Sequence, residues 1–195
     1  MDAFYWSEST KTKRAVGVFK PREYTNYTTD FCGVDYATKF ESPESAELSG
    51  LDYLEGKTVN VVIDGIPSAT TYTVNAGKIN IGTTGHTTIY VGLNYTATLA
   101  PMYLDTETTS TTTLGSKKDV QRATIRFKDT LQAKVGQTKN DLDSVVFNSD
   151  NTALYNEDAE AWFSNASEFL KLLYVVNDTP SPCTVLAMIP RVEDR

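Results

Sequence analysis

Thr58-Val59-Asn60-Val61-Val62-Ile63-Asp64-Gly65 is the stretch that decides the fold class. In an extended chain successive side chains point to opposite faces, so Val59, Val61 and Ile63 line one side. Asp64-Gly65 follows at once, a dipeptide suited to the positive φ angles of a two-residue hairpin turn. Outward from this hairpin, Thr71-Tyr72-Thr73-Val74 meets Asn75-Ala76-Gly77, and Lys78-Ile79-Asn80-Ile81 alternates again. Thr88-Ile89-Tyr90-Val91 reads as a further strand, ended by Gly92. Short strands at such regular spacing predict an all-β, mainly antiparallel chain: small β-sandwich or barrel modules with short hairpins and little helix. The abundance of Thr and Tyr agrees with that class.

Further along, Gln121-Arg122-Ala123-Thr124-Ile125-Arg126-Phe127-Lys128 places Ala123, Ile125 and Phe127 on one face. Arg122, Thr124, Arg126 and Lys128 fall on the other, so a core strand carries a basic stripe on its back. Residues 106–116 form a Thr-rich, apolar-poor loop suited to contacting a partner. Periodicity leaves 157–173 open between an amphipathic helix and strands; the β-branched and aromatic Leu173-Tyr174-Val175-Val176 favours a strand over 169–176. Pro180 and Pro182 predict an extended turn before a final strand, Cys183 to Ile189, closed by Pro190. The organisation expected is an N-terminal β segment at 1–48, a β module at 49–105 and a C-terminal β region at 106–195.

Chemistry is sparse. The chain of 195 residues has one histidine, His86, in the Gly/Thr turn Gly82-Thr83-Thr84-Gly85-His86-Thr87, with no acidic or cysteine neighbour in sequence. An exposed turn histidine is expected there rather than a triad or zinc ligand. Gly115-Ser116-Lys117-Lys118 lacks the spacing of a phosphate loop. Asp141, Asp143 and Asp150 lack the glycine and terminal glutamate of a calcium loop. Cys32 and Cys183 form no paired-ligand motif and are expected as free thiols. The sequons opened by Asn26, Asn94, Asn165 and Asn177 are expected by chance in a Thr-rich chain. No cofactor, metal or catalytic constellation is therefore expected. The formal net charge of −7 makes a poor grip on nucleic acid, although an acidic wall repels DNA rather than holding it. The start, Met1-Asp2-Ala3-Phe4, has no basic and apolar leader pattern, so a soluble protein without a secretory signal is expected.

One order of segments is more specific than composition. Ser49-Gly50-Leu51-Asp52-Tyr53-Leu54-Glu55-Gly56-Lys57-Thr58-Val59 runs into Val61-Val62-Ile63-Asp64-Gly65. Then come Thr73-Val74-Asn75-Ala76-Gly77-Lys78-Ile79 and Val91-Gly92-Leu93-Asn94-Tyr95-Thr96-Ala97-Thr98-Leu99. This succession resembles the C-terminal part of the tail nozzle family of short-tailed bacteriophages, also called tail tubular protein B or DNA stabilisation protein. Its members carry a GLDHLEGKTV…DG segment, a hairpin and a vGLpYtstl strand in that order. The ending, Pro180-Ser181-Pro182-Cys183-Thr184-Val185-Leu186-Ala187-Met188-Ile189-Pro190, is similar to the family's closing PlPlTVLAiiPev. The likeness covers 49–136 and, more weakly, 174–193. Family members are several times longer, with an upstream platform and propeller region, so docking functions of that region are not carried over.

The resemblance implies a virion structural protein made in the host cytoplasm, a non-enzymatic homo-oligomeric ring, sixfold, around the path of the viral DNA. It implies other tail proteins (adaptor, fibres) as partners, DNA passing without specific binding, and the host envelope as a further contact. Gly50, Gly56, Asp64, Gly65, Gly77 and Gly92 are expected as structural turn positions. Arg122, Arg126 and Lys128 are the candidate subunit interface, facing a neighbour's carboxylates. Two other classes compete: another virion part, such as an adaptor, collar, fibre-attachment or baseplate protein, and a carbohydrate-binding or hydrolysing module.

Overall fold

A computed structural model of the chain describes residues 3–6, 15–18, 27–102, 118–145, 147, 153–163 and 172–194. They fall into two compact units, Met1–Tyr95 and Thr96–Arg195. Among the described residues every paired strand is antiparallel, as in an all-β chain.

The first unit contains β1 (Ala3–Trp6), β2 (Ala15–Val18), the one-turn helix α1 (Tyr27–Asp30), β3 (Asp35–Glu41) and β4 (Glu47–Ser49). A 3-10 turn at Asp52–Leu54 leads to β5 (Thr58–Ile63), β6 (Ile66–Pro67), β7 (Tyr72–Thr73), β8 (Lys78–Asn80) and β9 (Thr88–Leu93). The Asp64-Gly65 hairpin joins β5 to β6, with φ of 48° and 82° at the two turn residues, the left-handed pair such a turn requires. Strand order is β3-β9-β5-β6, and β7 pairs with the start of β5.

Val59, Val61, Ile89 and Val91 pack on one side of this sheet with Leu48, Leu51, Leu54 and Ile79. Val62 and Tyr90 face the other side, under Phe31 and Val34. The central strands are thus buried on both faces, which explains the unbroken apolar run Val61-Val62-Ile63. The expected strands at 71–74 and 78–81 are shorter and do not form one ladder. Asn75 and Lys78 close the turn with reciprocal backbone bonds of 3.0 and 3.1 Å. Beyond it the flanks diverge, Thr73 to Thr58 and Ile79 to Leu48.

Gly92 does not end its strand; β9 continues to Leu93, and Gly92 sits opposite Asn60. A Cβ at Gly92 would lie 2.5 Å from the Asp35 carbonyl oxygen and 2.9 Å from Val34 Cγ2. The glycine therefore admits the incoming chain at the point where β3 shifts register against β9.

The second unit contains β10 (Ala97–Leu99), β11 (Lys118–Lys128), β12 (Lys134–Thr138), β13 (Asp141–Ser144), β14 (Asp158–Trp162), β15 (Tyr174–Asn177) and β16 (Thr184–Asp194). These make two sheets, ordered β10-β15-β12-β13 and β14-β11-β16. Ala123, Ile125, Phe127 and Ala159 of the second sheet meet Val135 and Val175 of the first in one core, a two-layer sandwich. The ambiguity at 157–173 resolves to strand at Asp158–Trp162 and again at Tyr174–Asn177; residues 164–171 lie outside the described residues. The last strand is not closed by Pro190. It runs on to Asp194, because β16 is an edge strand, where a residue without an N–H is tolerated.

The division between units falls at 95/96. The sequence reading placed boundaries after 48 and 105 instead. β3 and β4 belong with β5–β9, while β10 pairs with β15, past β11–β14 in the chain, a partnership that local pattern does not reveal. The Thr-rich stretch 106–116, Gly115–Lys117, Asp150, Asn26 and Asn165 lie outside the described residues. No helix among the described residues is long and apolar enough to cross a membrane.

Replacing Gly92 by Ala forces backbone to move rather than a flexible side chain. Gly92→Ala is expected to cost about 1–3 kcal/mol of stability, read as a lower urea midpoint at unchanged m-value.

Candidate interaction surface

Strand β11 alternates as its sequence dictates: Ala123, Ile125 and Phe127 are buried, while Arg122, Thr124, Arg126 and Lys128 point away from the core. The basic stripe exists, but its arginines are engaged within the chain. Arg126 forks onto Asp158, which lies directly opposite on β14: Nε to Oδ1 is 2.7 Å and Nη2 to Oδ2 is 2.8 Å. Arg122 Nη1 reaches Glu160 Oε1 diagonally at 3.3 Å, and its guanidinium sits 5.3 Å from the centre of the Trp162 ring. The bidentate geometry is the stronger of the two contacts, and the hydrogen bond from Arg126 holds the Asp158 carboxyl below the usual carboxylate range. Lys128 has no ion pair among the described residues, and neither has Arg191 on β16.

Three large apolar side chains share this outer face. Trp162 is 66% exposed, and Leu186 and Ile189 are each 58% exposed. Ile189 faces outward by ordinary alternation, opposite Thr124. Leu186 does so because of a bulge: Arg126 pairs with Ala187 and Phe127 with Val185, which leaves Leu186 as the extra residue. Sequence reading missed Trp162, Leu186 and Ile189, since apolar residues at outward positions read as core and the bulge at Leu186 leaves no periodic mark.

The predicted turn residues form a second constellation, in the first unit. Glu55 accepts hydrogen bonds from the Ala76 and Gly77 amides at 3.0 and 2.7 Å. Leu51 N donates to Gly77 O, and Gly56 N donates to Val74 O. Gly77 has a φ of 69°, which favours glycine, and a Cβ there would also displace the Asp52 carboxylate, 2.6 Å away. Gly50 and Gly56 have φ of 90° and 72°, turning the chain into and out of Leu51–Glu55. Asp64 Oδ1 accepts from Thr87 N and Thr88 N at 3.0 and 2.8 Å, tying the hairpin turn to the start of β9. Sequence reading missed Glu55; its signal is a carboxylate facing a turn whose amides point outward, which needs the partner hairpin to be known.

His86 is less exposed than expected and does have an acidic neighbour: Nδ1 lies 3.5 Å from Asp64 Oδ2, and Nε2 lies 2.9 Å from Thr83 Oγ1. Asp64 is distant in sequence, brought in by the hairpin. Neither cysteine is in a disulfide. Burial pushes the Cys183 thiol up to about 11, against an opposing hydrogen bond with Thr130. Asp141 and Asp143 project from β13, and among the described residues no three metal-ligating side chains cluster. A cavity of about 190 Å³ beside β12 and β15 is bordered by the Lys134–Asp178 ion pair. No protein-family model and no curated protein matches the sequence.

Arg126→Ala removes the donor that depresses Asp158. A carboxyl with a lowered folded pKa contributes stability above its unfolded value, roughly 3.9, and loses it as pH falls through the folded value. In the variant the Asp158 midpoint is expected to rise into the ordinary range, read by side-chain carboxyl NMR titration. Glu55→Ala is expected to cost about 1 kcal/mol and to speed hydrogen exchange at the Ala76 and Gly77 amides. Unchanged protection there would show that the carboxylate does not hold the turn.

Proposed function

We propose that this chain is a structural component of a short-tailed phage tail, a nozzle-like subunit of a ring through which the genome is retained and released. The observation that carries the reading is how the resembling segments fit together. The 49–65 segment, the 73–79 hairpin and the first residues of the 91–99 segment, which follow the nozzle family's order, are parts of one interlocked unit, and the rest of 91–99 carries the chain into the second. Their polar residues hold turns: Glu55 grips the 75–78 turn and Asp64 ties β9. That is the use a structural framework makes of such residues, and the reading assigns no catalysis to them.

A net charge of −7 suits a channel wall that DNA must pass without sticking. The interface role first read into the basic stripe narrows. Arg122 and Arg126 already have carboxylate partners, so Lys128 is the stripe's cation left to meet a neighbour.

Light scattering on the purified chain, followed by negative-stain imaging, tests the reading. The expected result is a closed ring with a central hole. A protein that stays monomeric up to high concentration argues against a self-assembling conduit.

A further inference from the structure

From the outer face of β14-β11-β16 we infer that this face is where one copy of the chain receives the next, in a head-to-tail contact. The inference names a contact for the ring assembly proposed above and rests on that reading.

The centre of the face is built as a dry contact would be. Trp162, Leu186 and Ile189 stand exposed on the two flanking strands. Between them the arginines of β11 are already neutralised by Asp158 and Glu160, so covering the face strands no lone guanidinium there. Stacking under Arg122 restrains the Trp162 indole, which lowers the ordering cost of using it as an anchor. A bulge that turns Leu186 outward adds apolar area where simple alternation would have faced it inward. Exposed tryptophan and paired arginine around aliphatic side chains is the composition of an interface centre rather than of ordinary surface.

Charge selects the occupant. Lys128 and Arg191 are exposed on this face and have no ion pair among the described residues. Two copies of the same face would bring these cations toward their own kind. The chain has 25 acidic against 18 basic residues, so a different face of a second copy offers these cations a net acidic surface more readily than the same face does. Unlike surfaces meeting give a heterologous contact, the kind that closes into a ring when the rotation allows.

The test is the double variant Leu186→Glu/Ile189→Glu, with Lys128→Glu/Arg191→Glu as a second. Both pairs are surface positions, and far-UV circular dichroism checks that the fold is kept. Sedimentation velocity is expected to show self-association weakened at least about tenfold in each. A folded Leu186→Glu/Ile189→Glu protein that assembles like wild type overturns the contact. If that protein still forms rings, the contact fails and the conduit reading stands. If wild type forms only an open filament, and the variant abolishes it, the contact stands and the conduit reading fails; a closed dimer lost in the variant makes the contact face to face and overturns the head-to-tail inference. A wild type that remains monomeric but binds a dT oligonucleotide, with binding lost in Trp162→Ser, assigns the face to nucleic acid and overturns the inference.

Discussion

Val61 and Val91 face each other at the centre of the first unit, and their neighbours Val62 and Tyr90 face the opposite way. Because both sides of this strand pair are covered, each full burial contributes about 1.5–3 kcal/mol relative to exposure, without the solvated face that a simple hairpin keeps. The segments packed around it cover one side or the other. Leu51 and Leu54 come from the 3-10 turn, Leu48 and Ile79 from the small β4-β8 ladder, and Phe31 and Val34 from the segment entering β3. The polar turn network follows from the same need, since short covering segments expose backbone groups that Glu55 and Asp64 then satisfy.

The second unit solves the same problem differently. Its two sheets cover one another, and β14-β11-β16 keeps an exposed outer face. On β11 that outer face carries arginines, and the adjacent strand supplies one carboxylate directly opposite and one on the diagonal. Such exposed pairs contribute little to stability. Their larger effect is to make a strand with four polar outward positions compatible with close approach by something else.

Much of the fold was legible in the sequence. The Asp64-Gly65 turn, the Val59/Val61/Ile63 face and the Ala123/Ile125/Phe127 face are local patterns, and each lies where those patterns put it. What local pattern does not carry is pairing. The strands flanking Asn75–Lys78 part to different partners, β10 joins β15, and β16 continues past Pro190 because it has a neighbour on one side only. The candidate surface was half legible: alternation gave the arginines, but their partners lie more than thirty residues away, at Asp158 and Glu160. Leu186 depends on a register shift that has no sequence signature.

The Glu55 carboxylate binds amides 21 and 22 residues further on. Entropically this is a small loop to close, and each doubling of loop length adds only about 0.6 kcal/mol. The ladder between β3 and β9 spans a much longer stretch of chain, as Lys39 with Tyr90 shows. Contacts of short sequence separation form sooner than distant ones. The carboxylate therefore makes 51–79 a piece closed on itself through short-range contacts, whereas β3 is held to β9 only across a longer stretch of chain.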